Sequence, residues 1–167
     1  MSSDADPGDI VAALDDAADA FDERGHGTRV FETAIEIDSE WTTQLTNGCQ
    51  LLTVVGHLDG EGFYTAMIEF CFGAIERSFE AYALNMGGDS LSDFQNHAYC
   101  YQRAGELGLV SRDTADEMME LYRNNRTESY YGGLRPTAAQ AAAMMELATE
   151  VHAYVSDQIR EGGVCRC

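Results

Sequence analysis

Val30, Ala34, Ile37, Trp41, Leu45, Gly48, Leu52 and Val55 step along the chain by 4, 3, 4, 4, 3, 4 and 3. Steps of three and four bring side chains onto one face of an α-helix, whereas a strand turns its faces over at every second residue. The stripe therefore predicts an amphipathic helix of about 25 to 28 residues, which other helices must cover. Gly48 lies in the stripe, where glycine costs about 1 kcal/mol relative to alanine. It reads as a close-packing point against another helix, or as a break that splits this one in two.

The rest of the chain carries the same period. Ile10, Leu14, Ala17 and Phe21 predict a first helix from about Asp9 to Glu23, ended by Gly25-His26-Gly27. From Phe63 to Met86 the sequence is apolar on nearly every side, as in the central helix of a bundle, and Gly87-Gly88 stops it. Asp89 or Ser90 would cap a helix with Leu91, Phe94, Ala98, Tyr101 and Leu107 inside, ended by Gly108. Ser111 or Asp113 starts the next, which stops near Gly132-Gly133. Thr137 and Gln140 have capping-box spacing before a last helix that buries Ala141, Met144, Ala148, Val151, Val155 and Ile159. No segment alternates convincingly at period two. The expected architecture is all-α, an antiparallel bundle of about five to six helices in one domain over 9–160. A flexible start at 1–8 and a short tail at 161–167 flank it.

The stretch Tyr122 to Tyr131 carries the densest chemistry. Tyr122, Arg126 and Tyr130 fall at i, i+4 and i+8, one helical face, and the apolar stripe of Ala115, Met118 and Met119 runs into that face. Guanidinium groups are thus aimed at a buried seam, where an unpaired charge is costly. The partner would be a carboxylate of the fold (Glu69, Glu76 or Glu128), a second subunit, or an anionic ligand. Arg123, Arg126 and Arg135 place three of the ten arginines within thirteen residues.

Charge narrows the partners. Acidic residues number 29 against 10 basic ones, a formal net charge of −19, and every basic residue is an arginine. Such a surface suits multimolar salt, where a Debye length of about 3 Å at 1 M screens self-repulsion. It is unsuited to binding nucleic acid without regard to sequence, which needs a basic footprint. No apolar run approaches the ~18 residues of a membrane span, and the N-terminus lacks the pattern of a secretory signal, so a cytoplasmic protein is expected. Five irregularly spaced cysteines read as reduced thiols. His97 and Cys100 at i, i+3 have the spacing of two metal ligands, and Cys165-x-Cys167 is a small chelating or redox pair; neither is joined by a clear second pair. No glycine-rich phosphate loop, G-x-S-x-G or H-E-x-x-H occurs, and no cofactor is expected.

From Asp59 to Ile159 the order of features resembles the HEPN superfamily of small helical bundles. The residues that carry the likeness are Ala74-Ile75-Glu76-Arg77-Ser78-Phe79-Glu80-Ala81-Tyr82, then Tyr122-Arg123-Asn124 through Tyr131-Gly132, then Pro136-Thr137 and the alanine-rich helix. The resemblance implies a bundle that dimerises through the arginine-bearing helix. In ribonuclease members an arginine, the polar residue after it and a histidine act on RNA. Arg123 and Asn124 match the first two, and Glu128 stands at the histidine's place. A carboxylate repels a phosphodiester and at its ordinary pKa has no proton to give near neutrality.

Three functions follow as expectations. The first is a non-catalytic HEPN-like interaction domain, a homodimer binding a partner protein or an anionic ligand, with Tyr122, Arg123, Arg126, Tyr130 and Arg135 at the ligand or interface. The second is a divergent HEPN ribonuclease or toxin-like component, acting on RNA or a nucleotide through Arg123, Asn124 and Glu128 beside a nucleotidyltransferase partner. The third is a halophile-specific structural protein without a ligand.

Overall fold

A computed structural model describes residues 7–24 and 39–159 of the chain. The chain divides into two compact units, Met1–Ile35 and Glu36–Cys167. In the first, helix α1 spans Pro7–Arg24, where Ile10, Leu14, Ala17 and Phe21 place it. The second is a bundle, and among the described residues no strand occurs. No described helix is long and apolar enough to cross a membrane.

Helix α2 runs over Glu40–Leu58. It begins later than the stripe suggests, because Ser39 has extended backbone (φ −105, ψ 134) and stands at the N-cap, a position serine favours. Val30, Ala34 and Ile37 lie outside the described residues. Within α2 the stripe holds: Trp41, Leu45, Gly48 and Val55 are buried.

Helix α3, Tyr64–Tyr82, is the centre of the bundle. It packs against α2, against α6 (Ala138–Gln158) and against α4 (His97–Glu106). Met67, Cys71, Ala74, Ile75 and Phe79 are almost wholly buried, and each large apolar side chain so covered contributes about 1.5–3 kcal/mol. Gly48 is the close-packing point rather than a break. A Cβ there would lie 3.2 Å from His152 Nδ1, 3.3 Å from the Ala74 carbonyl and 3.3 Å from Ser78 Oγ. Phe63 and Met86, expected on inner faces, are exposed at the helix ends. After α3 the backbone widens into a π-helical turn, Ala83–Gly87, which Gly88 closes with φ +70.

The single helix expected after Gly88 is two elements. Ser90 caps a 3-10 turn over Leu91–Gln95, and its capping partner is Asp93. Asn96 then breaks the run with φ −102 and ψ 116, and its side chain accepts from the Ala98 amide to start α4. Leu91 is consequently exposed, while Tyr101 stays fully buried. Helix α5, Arg112–Asn125, is capped by Ser111, which accepts from the Thr114 amide. A second π-helical turn follows at Arg126–Tyr131. Gly132 is required beyond it, because a Cβ would come within 2.6 Å of the Glu128 carbonyl. The box before α6 is formed as the sequence predicts: Gln140 Oε1 accepts from the Thr137 amide at 2.8 Å, and Thr137 Oγ1 from the Gln140 amide at 3.2 Å.

Candidate functional site

Tyr122 and Arg126 meet as their spacing requires. Tyr122 is buried at the end of the α5 stripe, edge-on to Phe72 at 5.5 Å and stacked on Tyr101 at 5.8 Å. One turn later Arg126 Nε donates to the Tyr122 hydroxyl at 3.1 Å, and the guanidinium carbon lies 5.5 Å from the ring centre. Arg126 also stands 3.7 Å from Glu69 of α3, and Asn125 Nδ2 donates to the other Glu69 oxygen at 2.8 Å. Within the chain, the seam cation thus has a carboxylate beside it. The Tyr122 hydroxyl bond raises the Arg126 pKa further.

Two other α3 carboxylates are buried, and of these only Glu76 was expected as a charge partner. Glu76 and Glu80 are 3% and 2% exposed. His97 Nδ1 donates to Glu76 at 2.7 Å, and Arg77 donates to Glu80 at 2.6 Å and to Gln44 at 3.3 Å. Burial raises both carboxyl pKa values, that of Glu80 to about 7. The short Arg77 pair pulls the other way. Burial prevails because Arg77 is a third exposed and loses field to solvent, and because Glu76 adds like charge one turn away. The available signal was two glutamates four residues apart inside an apolar run.

Beside this network lies a cleft of about 350 Å³. Ile68 and Phe72 of α3, Leu121 of α5, and Met144 and Leu147 of α6 supply its apolar lining. Asn124, Asn125, Glu128 and Ser129 supply polar groups where α5 passes into the π-helical turn. A π turn widens the spiral by one residue, and such turns recur at functional sites.

The other candidates are dispersed. Of the residues at the three HEPN motif positions, Asn124 and Glu128 line the cleft and Arg123 does not; Arg123 and Arg135 are exposed. The Tyr130 side chain, Cys165 and Cys167 lie outside the described residues. His97 is engaged with Glu76, and Cys100 Sγ donates to the His97 carbonyl at 3.1 Å. Among the described residues no three His, Cys, Asp or Glu side chains are grouped to hold a metal. The cysteines are not uniformly reduced: Cys71 and Cys100 are free, but Cys49 is disulfide-bonded. Burial pushes the Cys71 thiol up to about 12 and the Cys100 thiol well up, which keeps both protonated, whereas Cys49 is only half-buried and can be reached.

Fold and cleft together define an all-α bundle protein with a lateral cleft of small-ligand size. The chain belongs to the family described as a domain of unknown function, DUF8154, which it matches over residues 5–167. No curated protein and no solved structure matches it.

Proposed function

We propose that this protein is a non-catalytic helical binding module whose ligand sits in the cleft between α3, α5 and α6, and that it works in a halophilic cytoplasm. The observation that carries the reading is the lining of that cleft. Its walls are apolar, and among the described residues its polar groups are amides, a hydroxyl and one carboxylate, with no arginine or histidine. Phosphodiester cleavage needs a proton donor or acceptor and a positive group at one place. Here Glu128 stands where the HEPN-like pattern would have a histidine, Arg123 is off the cleft, and Arg126 is held by Tyr122 and Glu69. The same lining favours a neutral or cationic ligand over the anionic one that the arginine count suggests. The HEPN likeness enters this reading as a bundle without nuclease chemistry. Self-association belongs to it as well, supported by exposed Tyr131 and Leu134.

The test has two arms in molar KCl. Purified protein is incubated with RNA beside Arg123→Ala, and no cleavage is expected from either; cleavage abolished by Arg123→Ala would make the ribonuclease reading the better one. A neutral apolar dye, N-phenylnaphthylamine, is titrated against the wild type and Ala143→Phe. Ala143 lines the cleft at an exposed position, so the larger ring fills it at little cost to folding. Saturable fluorescence in the wild type and its loss in the variant are the expected outcome. Identical dye binding by both would remove the cleft as the site.

A further inference from the structure

Resting on that reading, we propose that the natural occupant of the cleft is a small amphiphilic cation, an organic ammonium or guanidinium on an apolar body. Size comes first. A cleft of about 350 Å³ is at the lower end of the 300–1,000 Å³ typical of small-molecule sites. It suits a compact ligand better than the face of a partner helix. The body of such a ligand would contact Phe72, Leu121 and Met144, and methionine adapts its shape to irregular apolar groups.

Charge then selects the head. Among the described residues Glu128 is the only ionic one that lines the cleft. Among the described residues its carboxylate has no ion pair or hydrogen bond, and it is exposed enough to remain solvated without a ligand. Asn125 is fixed by a different contact. Its Nδ2 donates to Glu69 at 2.8 Å, so its carbonyl oxygen is the atom left to accept. The Asn124 amide has no side-chain partner among the described residues and can turn its own oxygen the same way. The cleft thus offers a carboxylate and two amide oxygens. An ammonium brings three N–H donors and no acceptor, and a guanidinium brings five donors. A carboxylate or phosphate head would instead face Glu128, with no lining cation among the described residues to offset the repulsion. The cation nearest in sequence, Arg126, is turned to Tyr122 and Glu69 and does not fill this place.

The experiment holds the body constant and varies the head. Phenylpropylammonium, phenylpropanol and phenylpropanoate are titrated into the full chain in molar KCl, with binding read by calorimetry and by amide shifts in NMR spectra. The ammonium is expected to bind about tenfold tighter than the alcohol, a difference of ~1.4 kcal/mol, with the carboxylate weakest. Glu128→Gln should bring the ammonium down to the level of the alcohol without altering the circular dichroism spectrum. Ala143→Phe should weaken the ammonium and the alcohol alike. Equal binding of alcohol and ammonium, or tightest binding of the carboxylate, overturns the cationic assignment while the binding reading stands. A preference that persists in Glu128→Gln assigns it to the acidic surface at large and overturns the proposal. Tight binding of a basic peptide with none of the ammonium does so too. If neither these compounds nor the neutral dye bind, the binding reading falls with it.

Discussion

His97 Nδ1 lies 2.7 Å from Oε2 of Glu76, a carboxylate whose side chain is 4% exposed, although half of the imidazole itself faces solvent. The first residue of α4 thus reaches back to the central helix and covers the charge there. Burial raises the Glu76 pKa, and the imidazole hydrogen bond opposes the rise. Removing the imidazole should leave the carboxylate buried without this partner, at a cost of about 1–3 kcal/mol. Urea denaturation of His97→Ala is expected to show that loss. Glu76→Gln in the same background should recover part of it, because an amide does not carry the charge that burial penalises. Simple additivity of the two substitutions would show that the residues do not act as a pair.

Glu80 gives the fold a pH dependence of definite sign. Its carboxyl titrates at about 7 in the folded chain against an ordinary 4.5. Between those values the folded state holds more protons than the unfolded one, so stability falls as pH rises through the window and levels off above it. Less acidic conditions also increase the general repulsion of a chain of net charge −19, so the slope alone does not identify the residue. Glu80→Gln does. The unfolding free energy of the wild type should fall by up to ~3 kcal/mol across the window, and thermal unfolding midpoints should show a distinctly flatter profile in the variant. Parallel profiles would show that Glu80 titrates near its ordinary value.

Two glycines of α2 should respond to alanine in opposite directions. At Gly48 the added methyl meets the His152 ring, the Ala74 carbonyl and Ser78 Oγ, all within 3.3 Å. Those groups are held in place, since Ser78 Oγ donates to the Ala74 carbonyl at 2.8 Å and lies 2.9 Å from His152 Nδ1. Overpacking of this kind costs about 1–3 kcal/mol. At Gly56 a Cβ meets nothing within 4 Å, so alanine should stabilise by about 0.5–1 kcal/mol through backbone entropy alone. Differential scanning calorimetry of both variants checks the contrast. A stable Gly48→Ala protein would mean that α2 and α3 can move apart without loss.

Periodicity made the bundle legible where caps and stripe agreed. In α6 the Thr137–Gln140 box fixes the start, and every inward residue expected from Ala141 to Ile159 is buried. The Tyr122–Arg126 contact was legible for the same reason, because i, i+4 neighbours touch on any helix. Periodicity failed where a backbone change interrupts the spiral without altering the pattern of residue types. Ser39 and Asn96 turn extended inside sequences that still read as helical. The cleft was not legible at all: a π-helical turn redirects Glu128 and Ser129, and no residue type announces it. Nor was the Glu76–His97 pair, which joins separate helices 21 residues apart through a histidine whose spacing to Cys100 suggested a metal.

Tyr101 is the one fully buried aromatic of the network whose polar atom is unsatisfied. Its ring stacks on Tyr122 at 5.8 Å and meets Phe79 edge-on at 5.9 Å, while among the described residues its hydroxyl has no hydrogen-bond partner. Burial drives the phenol pKa far up, and the nearby charges of Glu76 and Glu69 act in the same direction, so the group is a neutral O–H in an apolar wall. An unmet buried hydroxyl costs about 1–3 kcal/mol, and phenylalanine keeps both ring contacts while removing it. Tyr101→Phe should therefore stabilise the protein by about 1 kcal/mol, whereas Tyr101→Ala should destabilise it by about 3–5 kcal/mol through the cavity it leaves. Denaturant midpoints separate the cases. A Tyr101→Phe protein less stable than the wild type would mean that a bound water joins the hydroxyl to Glu76 or Glu69, and that the ring stack is fixed from its polar end.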